Sequence, residues 1–212
     1  MDNKNYKEFL DLLVKEDKDK ALLFILGLFE NDMTVPDVYH DYLIPSLRDF
    51  ECPEKDQAIC IWKEHTRTSI IRTILESSYS YIIKQREKKI KKRILVVCPQ
   101  EEYHEIGAII ANHYFSLVGF DSLYIGANTP NEEIVSAIKA LKPDYVALSI
   151  TNYYNLVVSK KLTEKIRKEM PEVKIILGGQ ATQKSDALHQ VNYDYVLRTY
   201  EDILAFKNEV VK

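Results

Sequence analysis

The chain has 212 residues, 46% of them hydrophobic and 29% charged, with a formal net charge of −3. That is enough for one large domain or two small ones with real apolar cores, and the near-neutral balance gives no general attraction to nucleic acid or to an anionic membrane. The charge is uneven. Residues 1–82 carry 10 basic and 16 acidic residues, residues 83–93 carry 7 and 1, and the remainder 12 and 15. The basic block "KQREKKIKKR" reads first as the solvated end of a helix running into a linker, since Lys and Arg suit helix C-termini. A nucleic-acid patch is the weaker reading, because no aromatic residue is interleaved in it. Three cysteines, Cys52, Cys60 and Cys98, make an odd number with no CxxC pair, which points to a reducing compartment and away from a zinc site. The opening "MDNKNYKEFL" lacks the basic and apolar regions of a signal peptide. The longest strongly apolar stretch, "ALLFILGLF", is too short to span a bilayer. A cytoplasmic protein without membrane contact is expected.

Residues 1–82 read as helical throughout. "YKEFLDLLV" repeats apolar residues at helical spacing, and "KALLFILGLF" does so more densely, as a buried helix would. "VPDVYHDYLIPSLRDF" is a third helix, with Pro36 near its first turn and Pro45 expected to bend it or split off a last turn. "DQAICIWKEHTRTSIIRTILESSYSYII" is a long fourth helix. Four helices with short polar connections predict an antiparallel bundle over 1–86. From residue 92 to 212 strand and helix patterns alternate. "RILVVC", "DSLYIG", "DYVALSI", "VKIILGG" and "DYVLR" read as strands. The helices between them are "HEIGAIIANHYFSLVG", "NEEIVSAIKALK", "NLVVSKKLTEKIRKEM" and a short one near "KSDALHQ", and "EDILAFKNEVVK" closes the chain. The fold class is therefore α/β: a helical cap, then a flavodoxin-like, Rossmann-like five-stranded parallel sheet.

In such a sheet ligands bind beyond the C-terminal strand ends, where strand order reverses. The relevant loops are "PQEEYHEIG" after the first strand, "SITNYYN" after the third and "GGQAT" after the fourth. No G-x-G-x-x-G follows the first strand and no Walker motif occurs, so dinucleotide and P-loop chemistry are not indicated. The third strand ends "LSI" rather than in an Asp, which removes a phosphoacceptor receiver domain. His104 remains as a candidate metal ligand, with Glu102 two residues earlier as the carboxylate that would fix its tautomer. One imidazole is too few for a zinc or non-haem iron site, but enough for a metal whose other equatorial ligands arrive with it in a macrocycle.

"EEYHEIG" (Glu102, Tyr103, His104, Glu105, Ile106, Gly107) resembles the D/E-x-H-x-x-G signature of cobalamin-binding domains. The resemblance implies that His104 is the lower axial ligand of cobalt and displaces the nucleotide tail into a groove of the sheet. It further implies that Ser149 and Thr151 of "LSIT", and Gly178 and Gly179 of "LGGQ", line that groove. The N-terminal half resembles the helical cap of corrinoid proteins and cobalamin sensors. There Glu64 and His65 of "KEH" are expected over the upper face of the cofactor. Trp62, one turn away, is either a further cover or core. Adenosyl-, methyl- and hydroxocobalamin are all compatible forms.

Two function classes follow from the resemblance. A corrinoid methyl carrier would serve a methyltransferase. A non-catalytic cobalamin sensor, including light-responsive kinds, would act through a regulator protein or by changing its own oligomeric state. Carriers usually show Asp in the signature and Lys-Asn after its glycine, whereas this chain has Glu102 and Gly107-Ala108. "YIGANTP" also resembles the sensors. A sensor that is not an enzyme is expected. No helix-turn-helix is read in these residues, so direct DNA binding is not.

Overall fold

Tyr6, Phe9 and Leu13 recur at helical spacing, and α1 (Asn3–Val14) buries all three. The computed structural model describes residues 3–49, 51–52, 54–183, 188–189 and 191–211, and they fall into two compact units, residues 1–85 and 86–212. In the first unit α2 (Lys18–Glu30) is capped by Asp17, which accepts from the Lys20 N–H, and buries Ala21, Ile25 and Phe29. Phe9, Phe24 and Tyr42 form a ring cluster with centroids 5.8–6.2 Å apart, Phe9 stacked on Phe24 and edge to face with Tyr42. The long α5 (Gln57–Gln85) buries Ile70, Ile71, Ile74, Leu75 and Ile82 along its second half. In its first half most side chains are exposed or half-buried. α4 is held by Arg67, buried on α5, which donates to the Ser46 carbonyl, and its C-cap by Tyr6, which donates to Asp49.

The third helical rod departs from a simple helix at the place Pro45 marks. It runs as α3 (Val35–Val38), a π-helical stretch Tyr39–Leu43 and α4 (Ile44–Arg48). Pro45 has no N–H, and its ring would crowd the carbonyl of Asp41 in a regular helix. The wider turn, in which the Ile44 N–H reaches back to Tyr39 O, accommodates it. The cysteine reading needs a correction. Cys52 and Cys60 are joined in a disulfide, because the loop after α4 returns to the first turn of α5 and brings their Cα atoms to 5.5 Å; Cys98 alone is free and buried.

The second unit is a five-stranded, all-parallel sheet. Its strands are β1 (Arg93–Val97), β2 (Asp121–Tyr124), β3 (Tyr145–Ser149), β4 (Lys174–Gly178) and β5 (Tyr195–Val196), in the order β2-β1-β3-β4-β5. β1 and β3 are central and buried on both faces, which is why they read as unbroken apolar runs rather than alternating ones. Leu95, Val97, Val146, Leu148 and Leu177 share an aliphatic core with α7 (Asn131–Leu141) and α8 (Tyr153–Glu169). A second core is aromatic: Tyr145 packs on Phe206 of α9 (Tyr200–Val210), and Phe206 on Phe115 of α6 (Ile106–Leu117). The order reverses between β1 and β3, the place where a doubly wound sheet offers a ligand crevice at its C-terminal strand ends. The short helix expected near "KSDALHQ" falls mostly on residues outside those described. Residues 86–92 are tied to this unit, with the Glu87 N–H on Leu117 O and the Ile90 N–H on Gly119 O.

Among the glycines of the crevice, Gly179 is the one the backbone demands. Its φ is +90°, and an added Cβ would lie 2.8 Å from Ile150 N and closer still to Ile150 O, because β4 leaves the sheet directly against the end of β3. Neither neighbour is a flexible side-chain end. Gly179→Ala is therefore expected to destabilise the sheet unit by about 2–3 kcal/mol, read as a lower urea midpoint for its unfolding. An unchanged midpoint would show that the turn has another conformation in solution.

Candidate functional site

The loop after β1 is built around one buried carboxylate. The chain turns at Glu101 (φ +70°), whose N–H donates to Asn128 Oδ1, and the Glu102 N–H closes the turn on Pro99 O. Glu102 is thereby directed inward, and its side chain is fully buried. Oε1 accepts from the His104 N–H at 3.1 Å and lies 2.6 Å from His104 Nδ1. Oε2 accepts from the Thr151 N–H and the Asn152 N–H, both at 2.9 Å, and from Asn155 Nδ2 at 3.1 Å. Burial pushes this carboxyl up. The Asn152 N–H, the His104 ring and N–H and the Asn155 amide outweigh it and hold the group below its ordinary range.

An ionised carboxylate can only accept, so the proton between the two side chains sits on His104 Nδ1. In the neutral ring this leaves Nε2 with its lone pair. The imidazole is 66% exposed, so that lone pair is available to a ligand. The backbone of His104 is held as well: its N–H by Glu102, and its carbonyl by Cys98 Sγ at 3.6 Å. The Tyr124 hydroxyl, 3.9 Å from the same sulfur, donates to Glu105 at 3.2 Å. Burial pushes the Cys98 thiol up to about 12, which keeps it a neutral thiol packed beside the His104 loop. The other histidine of this region, His113 on α6, is buried and pushed down to about 4 by burial, which makes it a neutral core residue.

The remaining residues singled out in this unit gather at the same strand ends. Glu105 precedes α6, and Ile106 and Gly107 open it. An added Cβ on Gly107 would lie 3.6 Å from Ser149 Oγ, which is an ordinary contact, so Gly107 and the largely buried Ser149 face one another at close range. Ser149 pairs with Gly178 in the β3–β4 register. Thr151 enters through its N–H, on Glu102. Tyr103 is exposed. In the helical unit Trp62, Glu64 and His65 are all exposed on the first half of α5, Trp62 at 47% with the Lys63 ammonium 5.9 Å from its ring centroid. Asn152 and Asn155 lie in the "SITNYYN" loop that the sequence marks, but nothing in it singles them out. Each reads as an ordinary polar residue of a helix start, and Asn152 does cap α8 by accepting from the Tyr154 N–H. Cys98 and Tyr124 carried no signal either.

This arrangement presents one oriented imidazole nitrogen and no companion ligands. No group of three or more His, Cys, Asp or Glu side chains suited to holding a metal occurs among the described residues. It fits a metal that brings its equatorial ligands with it. No helix is long and apolar enough to cross a membrane among the described residues.

Over 190 residues the chain is 25% identical to the HTH-type transcriptional repressor CarA of Myxococcus xanthus, an alignment that covers 88% of this chain and 63% of that protein. This chain thus spans less than two thirds of that relative. Among solved structures, the monomethylamine corrinoid protein of Methanosarcina barkeri superposes with a TM-score of 0.76 at 14% identity, over 99% of this chain and 100% of that one. A cobalamin-binding protein from Desulfitobacterium hafniense gives 0.52 at 14% identity, over 95% and 96%. The methanol:cobalamin methyltransferase complex of Methanosarcina barkeri gives 0.53 at 13%, over 100% and 81%. At these identities the likeness is one of fold. The model of the B12 binding domain matches residues 92–205, more than half of the chain and the whole of the sheet that carries His104. The chain belongs to the B12 binding domain family, and its cofactor is cobalamin.

Proposed function

We propose that this protein is a cobalamin sensor, holding its cofactor base-off with His104 as the lower ligand and passing the cofactor's state to a partner protein or to its own oligomeric state. The observation that carries the cofactor half of this reading is the bond between Glu102 and His104 Nδ1, which leaves Nε2 oriented and open. Gly107, Ser149 and Gly178, close together at the strand ends, would take the displaced nucleotide tail. When bound, cobalamin supplies a cobalt with an exchangeable upper ligand; this chain's own residues bind, orient and enclose. The sensor half rests on the likeness to a transcriptional repressor and on Glu102 and Gly107-Ala108 standing where methyl carriers usually differ. Light is one candidate signal.

A methyl carrier is the second reading. It is favoured by the superposition on a monomethylamine corrinoid protein over that protein's whole length. A carrier must present cobalt to a methyltransferase and cycle it through a reduced state, whereas a sensor needs only a two-state element biased by its ligand. The two separate by experiment. Supplied with adenosyl-, methyl- or hydroxocobalamin in dark and light, a sensor changes its sedimentation or partner binding between cofactor states. Substrate-dependent demethylation of bound methylcobalamin in the presence of a corrinoid methyltransferase would establish the carrier instead.

His104→Ala is expected to abolish the absorption signature of histidine-ligated hydroxocobalamin, and Glu102→Gln to weaken cobalamin binding by about 10- to 100-fold while keeping the ligand residue. An unchanged spectrum in His104→Ala would end the assignment. Glu102 also predicts a pH dependence. Its folded pKa lies below the unfolded value, so its contribution to stability is present above about pH 4.3 and is lost as pH falls through the folded value. Acid unfolding followed by circular dichroism should therefore show the wild type losing stability faster than Glu102→Gln below that pH.

Trp62 is the only tryptophan, so its emission reports on the exposed α5 residues. If Trp62, Glu64 and His65 belong to the cofactor site, as we also propose, cobalamin quenches that emission strongly, and Glu64→Ala or His65→Ala alters the bound cofactor's spectrum. Emission and spectra that stay the same would confine the site to the sheet unit.

A further inference from the structure

The two most exposed aromatic side chains among the described residues both lie beside the candidate ligand. Tyr103 (69% exposed) precedes His104, and Tyr154 (76%) stands in the first turn of α8 next to Tyr153 (37%), their rings edge to face at 6.4 Å. Exposed aromatic rings gathered at one place mark a surface meant to be covered. The position of this group is set by the same carboxylate that sets the imidazole. Glu102 Oε1 holds His104, while Oε2 holds the Thr151 and Asn152 N–H groups and Asn155 Nδ2, which flank Tyr153 and Tyr154 on both sides. Asn155 Nδ2 donates to Glu101 O as well, so the first turn of α8 is bolted to the His104 loop. Side chains lean toward the N-terminus of their helix. α8 follows β3, so its N-terminus lies at the C-terminal end of the sheet, where His104 stands.

We propose that Tyr103, Tyr153 and Tyr154 form a shelf that takes the periphery of the corrin ring, separate from the groove at Gly107, Ser149 and Gly178 that would take the nucleotide tail. This rests on the reading of His104 as the cobalamin ligand. The chemistry suits the ring edge, which carries methyl groups and amide side chains: each tyrosine offers an apolar ring and a hydroxyl that can donate or accept. A surface for docking another protein would not need the backbone that carries it anchored to the same carboxylate as one imidazole.

The test uses full-length protein and two ligands, hydroxocobalamin and hydroxocobinamide, which has the corrin ring without the nucleotide tail. The double variant Tyr153→Ala/Tyr154→Ala is expected to raise Kd about tenfold for both ligands, with circular dichroism unchanged. Tyr153→Phe/Tyr154→Phe, which keeps the rings, should retain most of the affinity. A loss confined to hydroxocobalamin would overturn the shelf and place the tyrosines at the tail groove. Unchanged affinity for both ligands, with wild type binding through His104, would overturn it in favour of a protein-docking surface and leave the cobalamin reading intact. Wild type that binds neither ligand would remove both.

Discussion

The Glu102 carboxylate is the point on which the sheet's ligand-binding end depends. Five hydrogen bonds converge on it, and none comes from a lysine or arginine. An ionised group without a cationic partner survives burial only when its oxygens are this fully occupied. Its donors come from its own loop at His104 and from the stretch that leaves β3 and opens α8, so one side chain joins two segments about fifty residues apart in sequence. The charge does more than orient. A carboxylate on Nδ1 raises the donor strength of Nε2, and the thiol nearest the ligand backbone, Cys98, is kept neutral by burial and by its proximity to Glu102 and Glu105.

Much of this end was readable before any coordinates. The parallel sheet follows from strand and helix patterns alternating through the second half, and the position of the crevice follows from the strand order such a sheet adopts. Glu102 and His104 stand two residues apart, so their partnership is local and a sequence displays it. Asn155 is different. Its contribution requires α8 to begin where Glu102 Oε2 ends, a matter of tertiary placement that no spacing encodes. Gly179 is expected from the resemblance to line the tail groove, and the structure adds a second demand on it, the close approach of Ile150 at the end of β3. The pairing of Cys52 with Cys60 was missed for a related reason. A C-x7-C spacing has no characteristic meaning until the loop after α4 is known to fold back on α5.

The helical half illustrates how far periodicity carries. Helical spacing marked both α2 and α5, but the buried helix expected at α2 is covered on one face only: Ala21, Ile25 and Phe29 are buried while Leu23 is 66% exposed. The first half of α5 buries little besides Arg67 and keeps Ile61 and Trp62 about half exposed. Nothing in the helical unit's own packing requires a tryptophan there, so its presence is a question about what the protein binds rather than about how that unit folds.

A glutamate at position 102, where carriers usually have an aspartate, has a physical consequence in this loop. The side chain lies within 2.6–3.1 Å of the His104 imidazole on one oxygen and of the β3–α8 segment on the other. Removing one methylene would draw the carboxylate back by more than an ångström, about 1.5 Å per carbon–carbon bond, and at fixed backbone those distances could not all be kept. The longer side chain thus lets the His104 loop and the start of α8 share a single anchor. Moving the imidazole away would leave a buried oxygen short of its strongest donor, a costly state, so a displacement of His104 is resisted by, or passed on to, the segment that carries Tyr153 and Tyr154. In a carrier such coupling would only stiffen the site. In a protein that must report what its cofactor is doing, it would connect His104, the proposed ligand, directly to a surface helix.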